Sequence, residues 1–396
     1  MAALRKLPEI GGAFLKLGLI SFGGPVAHIG YFRKEFVERR RWLDDAAYAD
    51  LVALCQFLPG PASSQIAFGL GMGRGGLAGA FLASVSFLLP SAAAMILFAY
   101  RVASLGDLNG AGWLHGLKVA AVAVVALAVT AMARTLTPDW PRRFLAAAAA
   151  AAALLLPVAF AQVGVIAACG LIGLAAWRAQ GDRGPQDPVG LRPSHAWAAS
   201  SLLLFVLLLG LLPVASRWSG AKPVAVFDGF YRAGAMVFGG GHVVLPLLRS
   251  EVVPPGWVDD GSFLAGYGAA QAVPGPLFSF AGYLGTLIQS GPLRWIGGVL
   301  ALLAIFLPGW LLVAGTYPFW HLLRGKGWAQ GVLAGANAAV VGLLLAAFYR
   351  PVCTEAIRDA RDVAAAAAAA LLLGPLRVPP WAVVGVMAAA GQWLLR

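Results

Sequence analysis

The sequence carries its helix-breaking motifs twice, about 215 residues apart. Residues 22–25 read FGGP and residues 238–241 read FGGG, while residues 56–61 read QFLPGP and residues 271–276 read QAVPGP. The motifs keep the same order and nearly the same spacing in both halves. A chain with this pattern is a duplication, and its fold must contain two related units with breaks at matching places.

The composition places both units in a membrane. Of the 396 residues, 60% are hydrophobic and 12% are charged, whereas soluble proteins carry about 25% charged residues. Apolar stretches such as residues 196–216 and 298–316 reach the length of about 20 residues that a helix needs to cross a hydrocarbon core. We therefore predict an all-α, multi-pass membrane protein that contacts the lipid bilayer.

The net charge of +12 does not call for a nucleic-acid partner. Lys and Arg lie mostly between the apolar stretches, where loop charges set the membrane orientation. The first apolar segment is followed by a glycine break rather than by a small-residue cleavage site, so we expect it to be retained and not removed as a signal peptide.

The hydropathy pattern predicts six segments, a linking helix and six further segments. The segments lie near residues 10–32, 46–73, 76–101, 112–135, 142–157, 159–178, 196–216, 225–250, 262–290, 294–318, 327–350, 362–374 and 379–395. The predicted units are residues 1–180 and 223–396, joined by a polar loop and the linking helix at residues 181–222. An odd number of crossings between the repeat starts inverts the second repeat, as in many secondary transporters. If residues 46–73 form a re-entrant hairpin, one crossing is lost and the repeats become parallel.

The breaks themselves predict an anion site near the bilayer midplane. Unpaired backbone groups cost several kcal/mol in hydrocarbon, so a broken helix persists only where it is buried in protein or lines a cavity. A half-helix that starts inside the membrane directs free N–H groups and a positive dipole end towards that cavity, which suits an anion. The alternative is that the prolines only kink helices for packing.

The residues assigned to this site belong to the breaks and to the turns that follow them. They are Gly23, Gly24, Gln56, Gly60, Ser63, Ser64, Gln65, Gly239, Gly240, Gly241, Gln271, Gly275 and Ser279. The helix-breaking prolines are Pro25, Pro59, Pro61, Pro274 and Pro276.

Charged and titratable residues also occur at matching positions. Lys16 and Arg232 each lie six residues before a glycine break, and a cation inside an apolar segment is costly unless it faces a cavity or reaches the interface. We expect both cations to attract a dianion, with snorkelling as the alternative. His28 and His242 follow the breaks and are candidates for proton coupling, although a histidine there can simply satisfy a hydrogen bond.

Paired acids at the segment ends predict salt bridges or helix caps rather than a site. These pairs are Glu35 with Glu251, Asp44 with Asp259 and Asp45 with Asp260. The sequence has no nucleotide-binding loop and no His, Asp or Glu set at metal-ligand spacing, so we expect no cofactor and no metal. A membrane-embedded enzyme acting on lipid phosphates is a remote alternative, because no nucleophile–base pair is recognisable.

The longest motif strings resemble the chromate ion transporter (CHR) family in its long, two-domain form. The strings are residues 22–28 (FGGPVAH), 56–65 (QFLPGPASSQ), 87–92 (FLLPSA), 238–248 (FGGGHVVLPLL) and 271–276 (QAVPGP). The resemblance implies a non-enzymatic secondary transporter of the bacterial inner (plasma) membrane that exports chromate and gives chromate resistance. It further implies sulfate as a competing anion and leaves a sulfate or molybdate carrier of the same fold, and a homodimeric assembly, as open alternatives.

Overall fold

The computed structural model describes residues 6–22, 24–104, 112–156, 159–177, 195–238, 243–320 and 326–393. These residues are helical nearly throughout and contain no β-strand. The helices before the linker are α1 (Leu7–Ile20), α2 (Gly24–Phe32), α3 (Asp45–Phe57), α4 (Ala62–Ser104), α5 (Gly112–Leu136), α6 (Trp140–Leu155) and α7 (Ala159–Ala176). The linking helix is α8 (His195–Ser219). The helices after it are α9 (Lys222–Ala235), α10 (Val244–Val252), α11 (Asp260–Ala270), α12 (Phe280–Ile288), α13 (Arg294–Thr316), α14 (Gly327–Ala347), α15 (Ala360–Leu373) and α16 (Pro380–Trp393).

Helix α4 is two helices joined at a bend. Gly75 and Gly76 leave helical geometry, and Gly76 has a φ of +64°, which glycine adopts at little cost. We call residues 62–74 α4a and residues 77–104 α4b. With this division, the six segments predicted for each repeat fold as eight helices, and α4a and α4b correspond to α12 and α13.

Within the described residues, five helical stretches, some of which contain a bend, are long and apolar enough to cross a membrane. They are Ala62–Ser104, Gly112–Leu136, His195–Ser219, Arg294–Phe319 and Gly327–Ala356. The fold is therefore an all-α polytopic membrane protein, as the composition predicts. The helices of the first segment are much shorter, which requires a different path for the chain.

Helices α1 and α2 form a hairpin that returns to the face where it entered. Glu9, near the start of α1, accepts hydrogen bonds from Arg40 at 3.2 Å and from the indole of Trp42 at 3.1 Å, and both residues follow α2. The prediction that residues 10–32 cross the membrane is therefore wrong. The glycine break turns the chain back on itself instead of kinking one continuous helix.

Helices α3 and α4a form a second hairpin that opens to the same face. The Leu51 side chain packs against Gly69 on the other side of the Pro-Gly-Pro turn. Beyond the turn, the Arg74 guanidinium lies 3.0 Å from the Glu9 carboxylate. Residues 46–73 thus take the re-entrant path that the sequence left open.

The second repeat builds the same hairpins from the opposite face. The Tyr283 hydroxyl of α12 donates to the Ser262 carbonyl of α11 at 2.9 Å, so these helices also fold back on each other. At the other end of the membrane-crossing α4b, the Tyr100 hydroxyl donates to the Pro292 carbonyl, at the bend between α12 and α13, at 2.8 Å. Residues 77–100 rise about 36 Å as a helix. The two bends therefore lie on opposite faces, and the repeats are inverted.

The repeats remain inverted because the structure has two membrane crossings fewer than predicted before the second repeat, not one. A re-entrant path for residues 46–73 alone would make the repeats parallel, but the hairpin of α1 and α2 removes a second crossing. Helices α4b, α5 and α8, and between them the shorter consecutive pair α6 and α7, then separate the two repeat starts. The pair adds an even number of crossings, so the total is again odd. The predicted arrangement is confirmed, although the path that produces it differs.

The repeats interlock through small residues. Helix α5 packs on α15 and α16 of the other repeat, and α14 packs on α6 and α7. A Cβ added at Gly116 would lie 1.9 Å from the Met387 carbonyl oxygen, and one added at Gly335 would lie 1.9 Å from that of Cys169. Backbones approach this closely in membrane proteins because glycine leaves room and dispersion contacts then hold the helices together.

Candidate functional site

Each Pro-Gly-Pro turn is hydrogen-bonded to the first helix of the other repeat. The Gly60 N–H donates to the Val237 carbonyl at 2.7 Å, and the Gly275 N–H donates to the Ser21 carbonyl at 2.8 Å. We call these two hydrogen bonds the crossing bonds. Their four residues are repeat mates, so the structure makes the same contact twice, once in each direction.

The crossing bonds lie near the middle of the membrane. The helix from Glu9 to Ser21 rises about 18 Å from the first face, which is half of the distance of about 36 Å between the two bends. Ser21 ends α1 there and contacts Gly275, which belongs to the repeat that enters from the other face. The predicted position of the breaks near the midplane is therefore confirmed.

Glycine is needed at the centre of both turns. Gly60 has a φ of +125° and Gly275 has a φ of +102°, conformations that L side chains rarely adopt. A Cβ at Gly60 would also lie 2.9 Å from the Gln65 amide nitrogen, and one at Gly275 would lie 3.0 Å from the Ser91 hydroxyl. Pro59, Pro61, Pro274 and Pro276 flank these glycines and keep the turns out of helical geometry.

The start of α4a brings polar groups into the protein interior. Ser63, Ser64 and Gln65 are all buried, and the Gln65 amide donates to the Pro59 carbonyl at 2.8 Å. Among the described contacts, the Ser64 hydroxyl and the Gln65 amide oxygen are buried without a partner. Buried polar atoms are nearly always bonded to protein, water or ligand. The Ser64 hydroxyl can therefore donate to a bound anion at this helix start, whereas the Gln65 amide oxygen can only accept.

The second repeat supplies a matching but weaker set. Ser279 is buried in the 3₁₀ turn Leu277–Ser279 that precedes α12. The Gln271 amide nitrogen is buried without a partner among the described residues. Gln56, the repeat mate of Gln271, is exposed instead. The two glutamines therefore have different surroundings.

The glycine breaks are described only in part. Gly24 and Pro25 form the first turn of α2, and Gly24 has a φ of +75°. Gly23, Gly239, Gly240, Gly241 and His242 lie outside the described residues. His28 is buried on α2, where its Nε2 donates to the Ser21 carbonyl at 3.1 Å and its ring packs edge-on against Phe87. His28 thus makes the hydrogen bond that the simpler interpretation expects, on the carbonyl that also accepts a crossing bond.

The two predicted cations are both paired with acids. The Lys16 ammonium lies 3.9 Å from the Glu35 carboxylate and its side chain is 52% exposed. The Arg232 guanidinium lies 2.8 Å from Glu251 and 3.1 Å from Asp228, and its side chain is 17% exposed. Their role in attracting the anion stays a prediction, and any contact with an anion has to compete with these carboxylates.

The paired acids at the segment ends serve as caps and salt bridges, as predicted. Asp44 accepts from the Ala47 N–H and Asp259 from the Ser262 N–H, each at 2.8 Å, which caps α3 and α11. Each cap is followed by an acid that binds an arginine. Arg33 lies 2.8 Å from Asp45, and Arg249 lies 2.6 Å from Asp260.

Glu35 occupies a strongly basic environment at the first face. It accepts hydrogen bonds from Arg40 at 2.7 Å and from Arg39 at 3.0 Å. Burial by itself would raise the pKa of Glu35, but the hydrogen bonds and charges of Arg40 and Arg39 outweigh it and hold this pKa below its ordinary value. Glu35 is therefore ionised at neutral pH.

The sequence-based interpretation missed Ser21 and Asp228. Ser21 acts through its carbonyl group, which every residue has, so its side-chain type gives no signal. The sequence did contain a signal for Asp228, because an acid four residues before an arginine in a helix typically forms an ion pair.

Two cavities lie away from the crossing bonds. One of about 480 Å³ is bounded by α5, α6, α7 and α14, and one of about 320 Å³ is bounded by α6, α10 and α14. Neither is lined by a break residue. Within the described residues, no three His, Cys, Asp or Glu side chains are grouped to hold a metal ion.

Comparison with known proteins identifies the family. A family model described as chromate transporter matches residues 8–174 and again residues 224–392. A probable chromate transport protein of Synechococcus elongatus is 28% identical, over 86% of this chain and 84% of its own length. The chromate transport proteins of Pseudomonas aeruginosa and Cupriavidus metallidurans are 29% and 30% identical, over 85% and 84% of this chain and 79% and 80% of their own lengths. No solved structure matches the chain.

These matches and the apolar helices together describe a multi-pass protein of the bacterial inner membrane. The family model covers one repeat in each of its two matches, in agreement with the inverted pair seen in the fold. The chain belongs to the chromate transporter family.

Proposed function

We propose that this chain carries chromate, a tetrahedral dianion, outward across the inner membrane and thereby gives chromate resistance. The observation that supports the proposal most directly is the pair of crossing bonds, Gly60 to Val237 and Gly275 to Ser21. They hold the broken helices of both repeats together at the midplane. Relatives named chromate transport proteins, matched over most of this chain, supply the identity of the anion.

The binding groups in this proposal are neutral donors. The free N–H groups at the start of α4a and the hydroxyls of Ser63 and Ser64 replace part of the hydration shell of the dianion, assisted by the helix dipole. Ser279 and Gln271 do the same from the second repeat. Gly60 and Gly275 let the backbone approach the anion without a side chain in between.

The inverted hairpins support a two-sided transport path. The hairpins of the first repeat open to one face and those of the second repeat open to the other, while the crossing bonds join them in the middle. Rocking one repeat against the other around a fixed midplane site is the usual motion of such transporters. Outward movement of a dianion from a cell that is negative inside releases about 4.6 kcal/mol per 100 mV, twice the value for one charge.

The test is uptake of chromate into inside-out membrane vesicles with an imposed, inside-positive potential. Wild-type vesicles should accumulate chromate, and Ser63→Ala with Ser64→Ala should lower the uptake about tenfold or more, since each buried donor to a charged group is worth about 1.5–3 kcal/mol. Thr130→Val, at an exposed site on α5, is the control and should transport normally. Absence of chromate uptake would contradict the proposal, and accumulation of sulfate or molybdate alone would assign the chain to that alternative.

A further inference from the structure

The second repeat buries two carboxylates around one guanidinium. Asp228 and Glu251 lie 3.1 Å and 2.8 Å from Arg232, and their side chains are 7% and 14% exposed. We call these three residues the α9–α10 triad. With both acids ionised and the arginine protonated, the triad has a formal charge of −1.

An unpartnered atom marks where the excess charge lies. Asp228 Oδ1 is buried and has no hydrogen-bond partner among the described residues, while Oδ2 contacts Arg232. An ionised carboxylate oxygen that is buried and receives no hydrogen bond is costly, and protonation removes its charge. The geometry therefore favours a proton on the Asp228 carboxyl group.

The groups that pack around the triad do not compensate for the charge. From α8, the positive charge of Arg217 lies near enough to attract the Asp228 carboxylate, but this arginine is exposed, so water screens it. Tyr231, on α9, directs its hydroxyl to the Phe205 carbonyl, and Arg249, on α10, is bound to Asp260. Helix α13, which also packs on α9, has a single ionisable side chain that is charged at neutral pH, Arg294 at its start.

We propose that Asp228 and Glu251 share one dissociable proton, and that this proton is carried together with the anion. One net negative charge then crosses the membrane with each chromate, and the potential contributes about 2.3 kcal/mol per 100 mV instead of the value for the bare dianion. Two carboxylates near one another favour protonation of one of them, and burial favours the neutral form further. A proton removes the excess negative charge and makes the surroundings more favourable for a dianion. Linkage then requires that anion binding strengthens proton binding by the same factor.

The triad is placed to influence the anion site. Arg232 lies five residues, about 7.5 Å along the chain axis, before Val237, whose carbonyl accepts the Gly60 crossing bond. Loss of the proton binds Arg232 to two carboxylates, and gain of the proton leaves it with one. The charge at the end of α9 therefore changes at the position where the two repeats meet.

The first repeat lacks this device. Gly12 stands at the position that matches Asp228, and Glu35, which matches Glu251, is surrounded by Lys16, Arg39 and Arg40. Only one of the two inverted units can then bind the proton. Because Glu35 matches Glu251 in position but is surrounded by basic side chains, substitution of Glu35 is the matched control for substitution of Glu251.

Infrared spectroscopy of the purified protein tests the proton directly. Wild-type protein at neutral pH should show the C=O band of a buried, protonated carboxylic acid. Asp228→Asn and Glu251→Gln should each remove the band, because one acid left with Arg232 is neutral as a pair and ionises. Glu35→Gln should leave the band unchanged. A wild-type protein without this band, or a band that persists in both single variants, would overturn the proton site.

Transport at a fixed membrane potential tests the coupling, which rests on the proposed function. Acidifying the outside of inside-out vesicles by one pH unit should raise the steady-state chromate accumulation of the wild type about tenfold for one coupled proton. Asp228→Asn should still accumulate chromate but lose this response. Wild-type uptake that ignores the pH gradient would overturn the coupling. A wild type that takes up no chromate would instead defeat the proposed function, and the infrared result would still decide on the proton site.

Discussion

The two repeats place a glutamate and a cation at the same positions but surround them with opposite charge. Glu35 of the first repeat has Lys16, Arg39 and Arg40 around it, whereas Glu251 of the second is paired, within the part of the chain that the structure describes, with Arg232 alone and shares it with Asp228. Residues 254–256, which read PPG, stand where the first repeat has its two arginines. Duplication has kept the backbone framework, while the charges have diverged.

This contrast separates what the fold requires from what a transport cycle requires. The crossing bonds, the positive φ values of Gly60 and Gly275 and the N-caps of α3 and α11 are the same in both repeats. Changes at these features should therefore have equal effects in the two halves. Changes at the charge clusters should have unequal effects, and the following predictions test that division in order of decreasing size.

Substitution at the centre of either Pro-Gly-Pro turn should nearly abolish transport. Gly60→Val and Gly275→Val both force a branched side chain into a left-handed conformation and against close neighbours, so the crossing bonds cannot form. A displacement of about 1 Å at a binding site costs about 100-fold. Chromate uptake, normalised to protein abundance, is the measurement.

The matched control for these glycines is Gly210→Ala in the linking helix. No atom lies within 4 Å of a Cβ added at this position, so uptake and abundance should stay normal. If Gly60→Val stops transport and Gly275→Val does not, the two turns are not equivalent and the shared midplane site is contradicted.

Removal of the two predicted cations, Arg232 and Lys16, should change protein abundance to different extents. Arg232→Gln leaves two buried acids without a counter-charge, which costs about 3–5 kcal/mol and should lower protein abundance as well as uptake. Lys16→Gln removes an exposed side chain from a glutamate that keeps Arg39 and Arg40, so abundance should remain normal. Immunoblots and vesicle uptake measure both quantities.

A compensating variant sharpens this test. Adding Asp228→Asn and Glu251→Gln to Arg232→Gln should restore the abundance of the folded protein, because no buried charge is then left unpaired. Failure of this rescue would show that Arg232 supports the fold by packing, not by balancing the acids.

Substitution of a glycine at the interface of the repeats should destabilise the protein to the same extent in both halves. Gly116→Ala and Gly335→Ala each place a Cβ 1.9 Å from a carbonyl oxygen of the other repeat, and overpacking of this kind costs about 1–3 kcal/mol. We expect similar drops in the melting temperature of the detergent-purified variants. A large drop in one variant alone would mean that only one side of the interlock supports the fold.

The sequence predicted the framework because duplicated breakers and hydropathy act locally. Repeated Gly-Gly and Pro-Gly-Pro motifs fix where helices stop, whatever packs against them. The hairpin path of α1 and α2 was not predictable in this way, since it depends on Glu9 meeting Arg40 and Trp42, more than 30 residues away. The pairing of Lys16 and Arg232 with acids was unpredictable for the same reason. Repeat spacing shows which residues correspond in the two halves, but it does not show which side chains contact each other.

The smallest predicted effect concerns the N-caps of α3 and α11. The two repeats have the same cap geometry, and loss of either cap should destabilise the protein only slightly. Asp44 and Asp259 each accept one backbone N–H at 2.8 Å on the first turn of a hairpin helix, and loss of such a cap costs about 1 kcal/mol. Asp44→Ala and Asp259→Ala should therefore lower Tm by similar, small amounts of about 2 °C or less. Asn caps a helix about as well as Asp, so Asp44→Asn and Asp259→Asn should melt like the wild type. If Asn and Ala variants melt alike, the carboxylates act through Arg33 or Arg249 nearby and not as caps.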